Sequence, residues 1–200
     1  MDLTTIRPMS LRHAVLAALV HGEASGYELA KRFDTGVADF WHARPQQIYA
    51  ELARLHDDGL VRATEVVQRS RPTKRLFTLT GSGVAVLEEF AAAPKRPTAL
   101  RDELTVAVQA ADAVPTGPLV ANLLVEAERA RRRLAHFRAL EKTMLNGRSE
   151  ELFVRTTHHL GPYLTCRRGI LVTADTEHWC TWAAGLLRER ERLRQEPNAS

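Results

Sequence analysis

Cationic side chains cluster in one short segment near the middle of the chain. Four of them fall within seven residues, with no acidic residue between them: Arg69, Arg71, Lys74 and Arg75. Like charges this close repel one another, and a polyanionic partner is a physical reason to keep them together. The segment from 69 to 73 has turn chemistry, with β-branched residues before it. We therefore predict a basic β-hairpin tip, for which a merely solvated charged turn is the alternative.

A second candidate segment begins at Pro45, which suits the first turn of a helix because its missing N–H is not needed there. Ile48, Leu52 and Leu55 repeat at i, i+4 and i+7 and should face a core. The other side of this helix is polar or small-sided. It carries Gln46, Ala50 and Ala53, flanked by Gln47, Arg54, Tyr49 and His56. Glutamine can pair bidentately with adenine, and small residues let a helix approach the major groove.

The flanking elements should position these two segments. An amphipathic helix begins at Ser10. A capping box formed by Ser25 and Glu28 starts a second helix, which ends near Phe33. Phe40 and Trp41 should anchor the connection that follows. After the Pro45 helix come strands over 60–68 and 76–79 and a helix capped by Thr80. This order of helices and strands is a winged helix–turn–helix, whose third helix enters the major groove. The predicted DNA-binding residues are Gln46, Gln47, Tyr49, Ala50, Arg54, Arg69, Arg71, Thr73, Lys74 and Arg75.

Two prolines, Pro94 and Pro97, mark a boundary between a DNA-binding domain over 10–93 and a helical domain over 98–194. The fold class is mainly α, with a small β-hairpin wing. In the second domain we expect helices over 100–114, 119–145 and 149–160, and a last helix starting at Gly161.

Apolar residues seven apart recur along the second and fourth of these helices, which is typical of a helix seam. Two long striped helices in so small a domain favour an interface between two copies of the chain, although an intramolecular bundle core is the alternative. The predicted dimerisation residues are Leu123, Leu134, Phe137, Val172, Trp179, Trp182 and Leu186. A dimer could read two half-sites of a pseudo-palindromic operator.

The composition is that of an ordinary globular protein of 200 residues with a net charge of +4. No apolar run is long enough to span a membrane, and there is no secretory signal. Cys166 and Cys180 form no CxxC pair, so we expect a reducing cytoplasm. The sequence contains no catalytic motif and no metal-ligand spacing. We therefore predict neither an enzyme nor a cofactor.

The N-terminal half resembles the PadR family of transcriptional regulators. The resemblance lies in Leu11–Leu19, Ser25–Leu29, Gln47-Ile48-Tyr49, Gly59-Leu60-Val61, Arg71–Arg75 and Leu79–Gly83. One departure is Phe77, where the family commonly has tyrosine. The second half resembles the larger subgroup with a virulence-activator-like C-terminal domain, through Gly169, Glu177, Trp179 and Trp182.

This resemblance implies a homodimer, held by the C-terminal helices, that binds an operator near a promoter. The sequence therefore predicts a sequence-specific transcriptional regulator, taken as a repressor. It leaves open a small-molecule effector. A winged helix used only for protein contact is the alternative function, and the basic wing argues against it because a protein-binding variant would not need one.

Overall fold

A computed structural model describes residues 11–33, 43–68, 71–95 and 101–195. The chain divides into two compact units, Met1–Thr98 and Ala99–Ser200. The first contains α1 (Leu11–Ala18), β1 (Ala24–Ser25), α2 (Gly26–Arg32), α3 (Pro45–Asp57), β2 (Val61–Gln68), β3 (Arg71–Leu79) and α4 (Gly81–Ala92). The second contains α5 (Glu103–Gln109), α6 (Thr116–Leu145), α7 (Glu150–Thr156) and α8 (Leu160–Gln195).

The first unit is built around a core between its helices and the base of its sheet. Val15 and Leu16 of α1, Leu29 of α2 and Ile48 of α3 are completely buried in it. The predicted capping box is present, since the Ser25 hydroxyl accepts from the Glu28 amide while the Glu28 carboxylate accepts from the Ser25 amide. The predicted winged helix–turn–helix is confirmed.

The sheet has three antiparallel strands in the order β1-β3-β2. Strand β1 is only two residues long, and sequence reasoning missed it because no periodicity is visible in a pair of residues. Strand β3 begins at Arg71 instead of the predicted 76, so residues 71–73 belong to a strand and the turn is shorter than expected. Cross-strand pairing explains the difference, since Gln68 pairs with Arg71 beyond a register irregularity.

The second unit is organised by the antiparallel packing of α6 and α8. Leu123 and Ala127 pack with Cys180 and Ala184, and further along the helices Phe137 packs with Cys166. Ion pairs connect the same helices at Arg131–Glu177 (2.9 Å) and Arg167–Glu141 (2.6 Å). None of the described helices is long and apolar enough to cross a membrane.

Two short helices of this unit differ in extent from the sequence prediction. The helix expected over 100–114 covers only Glu103–Gln109. It begins at Glu103 because Asp102 caps it by accepting from the amides of Leu104 and Thr105. The helix expected over 149–160 ends at Thr156, with Ser149 as its cap. Helix α6 ends where predicted, at Leu145, and the next residue, Asn146, caps it in a left-handed conformation (φ 47°).

Candidate nucleic-acid interface

Helix α3 has two contrasting faces. Ile48, Leu52 and Leu55 are at most 1% exposed, as their spacing predicts. Of the residues assigned to the outer face, six are exposed: Gln46, Gln47, Tyr49, Ala50, Ala53 and Arg54. The seventh, His56, is partly buried, with its Nδ1 3.3 Å from the carbonyl oxygen of Val61. The helix therefore presents a polar, small-sided surface that is rigidly held from behind by the core, which is the arrangement that groove binding requires.

The two glutamines at the start of α3 have different environments. The Gln47 side-chain oxygen accepts a hydrogen bond of 2.9 Å from the Arg44 amide, so Gln47 helps to cap the helix. Bidentate pairing with adenine uses both the oxygen and the nitrogen of a carboxamide. Gln46 therefore fits the base-reading role better than Gln47. A glutamine three residues into a helix is half of a capping box, which is the sequence signal for this difference.

Tyr49 lies over the first turn of α2. A Cβ atom built on Gly26 would be 2.2 Å from Tyr49 Cε1, so only glycine leaves room for the ring in this position. The tyrosine side chain stays about half exposed. Gly26 was not among the predicted site residues, because its role depends on a contact between two helices.

The wing residues Lys74 and Arg75 point to opposite faces of β3, as neighbours in a strand do. Arg75 is exposed, and its guanidinium lies 5.5 Å from the centre of the Phe77 ring. Arg69 lies outside the described residues, and only the backbone of Arg71 and Thr73 is described. Of the four cations predicted for the wing, Arg75 is therefore the one whose side chain the structure shows on the surface.

Lys74 has a protein partner that the sequence did not reveal. Its ammonium is 2.7 Å from Glu28 Oε1, across 46 residues of sequence. The same carboxylate accepts hydrogen bonds from the amide and the hydroxyl of Ser25, at 2.8 and 2.9 Å, through Oε2. The hydrogen bond from Lys74 and those from Ser25 lower the pKa of Glu28 from 4.5 to about 2.

The predicted dimerisation residues fall into two groups. Leu123, Leu134 and Phe137 are buried in the core of their own unit, where side chains of the same chain cover them. Trp179 is half-buried against that same core. Apolar side chains on the opposite face of α8 are about half exposed: Leu164, Leu171, Val172, Trp182, Leu186 and Leu193. Sequence periodicity could not separate the two groups, because it shows that apolar residues recur on a helix and does not show what covers them.

A helix with a buried apolar side and an exposed polar side, next to a cationic β-hairpin, defines a winged helix–turn–helix protein of the nucleic-acid-binding class. Residues 15–89 match the transcriptional regulator PadR-like family, and residues 100–188 match the virulence activator alpha C-terminal domain. The first part of the chain is therefore similar to the PadR-like family of transcriptional regulators, and the second part is similar to the C-terminal domain of virulence activators. That family consists of regulators and not enzymes, in agreement with the sequence prediction.

Two relatives illustrate the similarity in sequence. "Probable transcriptional regulator Rv1176c" of Mycobacterium tuberculosis is 44% identical over 90 residues, which cover 45% of this chain and 48% of that protein. "Negative transcriptional regulator PadR" of Bacillus subtilis is 36% identical over 80 residues, covering 40% and 44%. The chain thus spans about half the length of these two relatives that it matches.

Solved structures share the fold over more of the chain. The B. subtilis PadR structure in complex with operator DNA has a TM-score of 0.74 and 23% identity, covering 88% of this chain and 98% of that chain. The Vibrio cholerae virulence activator AphA has a TM-score of 0.66 and 27% identity, covering 92% and 99%. These likenesses confirm the predicted fold class.

Proposed function

We propose that this protein is a sequence-specific DNA-binding repressor that acts as a homodimer on a pseudo-palindromic operator. The proposal gives the first unit, predicted as 10–93, the role of DNA binding, and the second, predicted as 98–194, that of dimerisation. The observation that carries it is the outer face of α3, where Gln46, Ala50 and Arg54 are exposed above a fully buried apolar stripe.

Two features support DNA as the partner of that face. The helix carries no acidic residue in its first turn, so nothing there repels a phosphate. The wing adds Arg75 on the surface, and a cation next to a groove-binding helix is suited to the sugar–phosphate backbone. A protein-binding winged helix would need neither feature.

A substitution on the outer face of α3 tests this proposal. Ala50→Glu places a negative charge where the DNA should lie, and should weaken binding more than about tenfold, since like charges in an interface cost several kcal/mol. Ala85→Glu is the matched control, because Ala85 is an exposed alanine on α4. Affinity is measured by fluorescence anisotropy over a range of salt concentrations. Equal losses in the two variants, or binding by the wild-type chain that ignores salt, would contradict the proposal.

The exposed apolar face of α8 supports the homodimer. Val172, Trp182 and Leu186 are 49%, 56% and 52% exposed in a single copy of the chain. Large apolar side chains are costly to leave in water, and a second copy of the same helix would cover them. Of the residues first predicted for the interface, these three remain available to it.

Sedimentation velocity of two matched variants tests the homodimer. Leu186 on α8 and Leu152 on α7 are similarly exposed, at 52% and 48%. Leu186→Asp should shift the protein toward monomer, whereas Leu152→Asp should leave its sedimentation unchanged. A dimer of undiminished stability in Leu186→Asp would remove this face from the interface.

The repressor role is supported by the name of the B. subtilis relative, a negative transcriptional regulator, over the N-terminal segment. A reporter under the control of the bound promoter should be more active when the gene for this chain is deleted, and silenced again by the wild-type chain but not by Ala50→Glu. Lower reporter activity after deletion would assign an activator.

A further inference from the structure

The Glu28–Lys74 contact connects the wing to the helix–turn–helix. Backbone pairing between β1 and β3 ends at Ser25 and Leu76. Lys74 lies two residues further toward the hairpin tip, where β3 pairs only with β2. In the described part of the chain, Lys74 is the residue nearest that tip with a side-chain hydrogen bond to the helix–turn–helix. The contact therefore bears on how the wing is held relative to α2 and α3.

Glu28 itself is firmly held. Its Oε2 accepts hydrogen bonds from the amide and the hydroxyl of Ser25, and its Oε1 accepts one from the Lys74 ammonium. A carboxylate whose rotamer is already set by a capping box loses little further freedom when it binds an ammonium, so the pair costs less entropy than one between two mobile side chains. The side chains of Glu28 and Lys74 are 42% and 32% exposed, so the ion pair is partly shielded from water.

We propose that Glu28 is a positioning residue of the DNA-binding surface, which holds Lys74, and with it the wing, against α2. In this arrangement Lys74 acts through Glu28 and is not a free contact for a DNA phosphate. The inference rests on the proposed function, and it changes the role of one of the predicted DNA-binding residues.

For the substitution Glu28→Gln, an effect of charge alone and a positioning effect predict opposite changes in DNA affinity. Glu28→Gln removes a negative charge close to the proposed interface, so simple electrostatics predicts tighter binding to a polyanion. Positioning predicts weaker binding, because the part of the wing beyond the β1–β3 pairing loses its ion pair with α2. Glutamine is also accepted at this place in a capping box, so α2 keeps its cap and the substitution isolates the ion pair.

The experiment compares five proteins and the wild-type chain on a fluorescently labelled random-sequence duplex, with affinity measured across a salt series. They are Glu28→Gln, Lys74→Met, the double variant, Glu23→Gln and Arg75→Met. Glu23 is an exposed carboxylate five residues before Glu28, so Glu23→Gln makes the same charge change without touching the pair. Thermal unfolding followed by circular dichroism confirms that each variant is folded.

We expect Glu28→Gln and Lys74→Met each to weaken binding about two- to fivefold, the range of a partly exposed ion pair. The affinity of the double variant should equal that of the single variant that binds less tightly, because both changes break the same contact. Lys74→Met should keep the wild-type salt slope, whereas Arg75→Met should reduce its magnitude by about 0.9, one phosphate contact. Glu23→Gln should bind at least as tightly as the wild type.

Three outcomes would overturn this inference alone: tighter binding by Glu28→Gln, a reduced salt slope in Lys74→Met, or unchanged affinity in either variant. The wild-type titration is read first. A wild-type chain that binds no duplex at low salt overturns the proposed function, and this inference with it.

Discussion

Gly83 controls how closely helix α4 approaches the base of the wing, and Gly83→Ala should destabilise the first unit. A Cβ atom at this position would be 2.3 Å from the Leu60 carbonyl oxygen and 2.7 Å from Leu79 Cδ1. The backbone oxygen cannot move by itself, because it also accepts from the Thr80 amide and hydroxyl at 3.1 and 2.9 Å. Relieving the clash therefore requires a shift of the whole junction between α3 and β2.

The size of the effect follows from two opposing terms. Forcing an extra methyl group into a packed site costs about 1–3 kcal/mol. Replacing glycine in a helix by alanine returns at most about 1 kcal/mol. Because the clash is with a backbone oxygen, the cost lies at the upper end of that range, and the net loss should be about 2 kcal/mol, which lowers the ratio of folded to unfolded molecules about 30-fold.

Native-state hydrogen exchange of the amides in α3 and β3 measures this loss, because it reports the stability of the first unit separately from that of the second. Gly81→Ala is the control: it lies in the same helix, and a Cβ atom there would meet nothing within 4 Å. Its protection should equal or exceed that of the wild type. Equal protection in both variants would refute the steric reasoning.

The remaining predictions concern the interface. Gln46→Ala should cost about 1–3 kcal/mol on specific DNA and little on random DNA, whereas Gln47→Ala should lower helix stability as well; competition binding and circular dichroism separate them. Lys74→Met should raise the pKa of Glu28 from about 2 toward 4.5, measured by carboxyl NMR titration. Because folding lowers the pKa of Glu28, the ionised carboxylate contributes fully to the free energy of unfolding above pH 4.5, and this contribution is lost as the pH falls toward 2. For a pair this exposed to water, the contribution is about 1 kcal/mol or less. Gly26→Ala should displace the tyrosine ring above it and weaken DNA binding without destabilising the protein, and an unfolded variant in a thermal melt would contradict this.

Local sequence signals determined much of the first unit. The spacing of Ile48, Leu52 and Leu55 fixed which face of α3 is buried, because helical geometry converts spacing directly into direction. The capping signals at Ser25 and Thr80 located helix starts, because each cap is formed by residues at most three positions apart. The order of these elements was enough for the winged helix–turn–helix.

Contacts between residues far apart in the sequence were determined only by the tertiary structure. The hydrogen bond between Lys74 and Glu28 connects residues 46 positions apart. Strand β1 at Ala24 and Ser25 forms only because β3 lies beside it and pairs with it. The stripes that predicted an intermolecular seam could not show which partner buries them. Leu123 is covered by α8 of its own chain, while Trp182 on α8 remains exposed. Periodicity reports that a face is apolar, and only the packed fold determines what covers it.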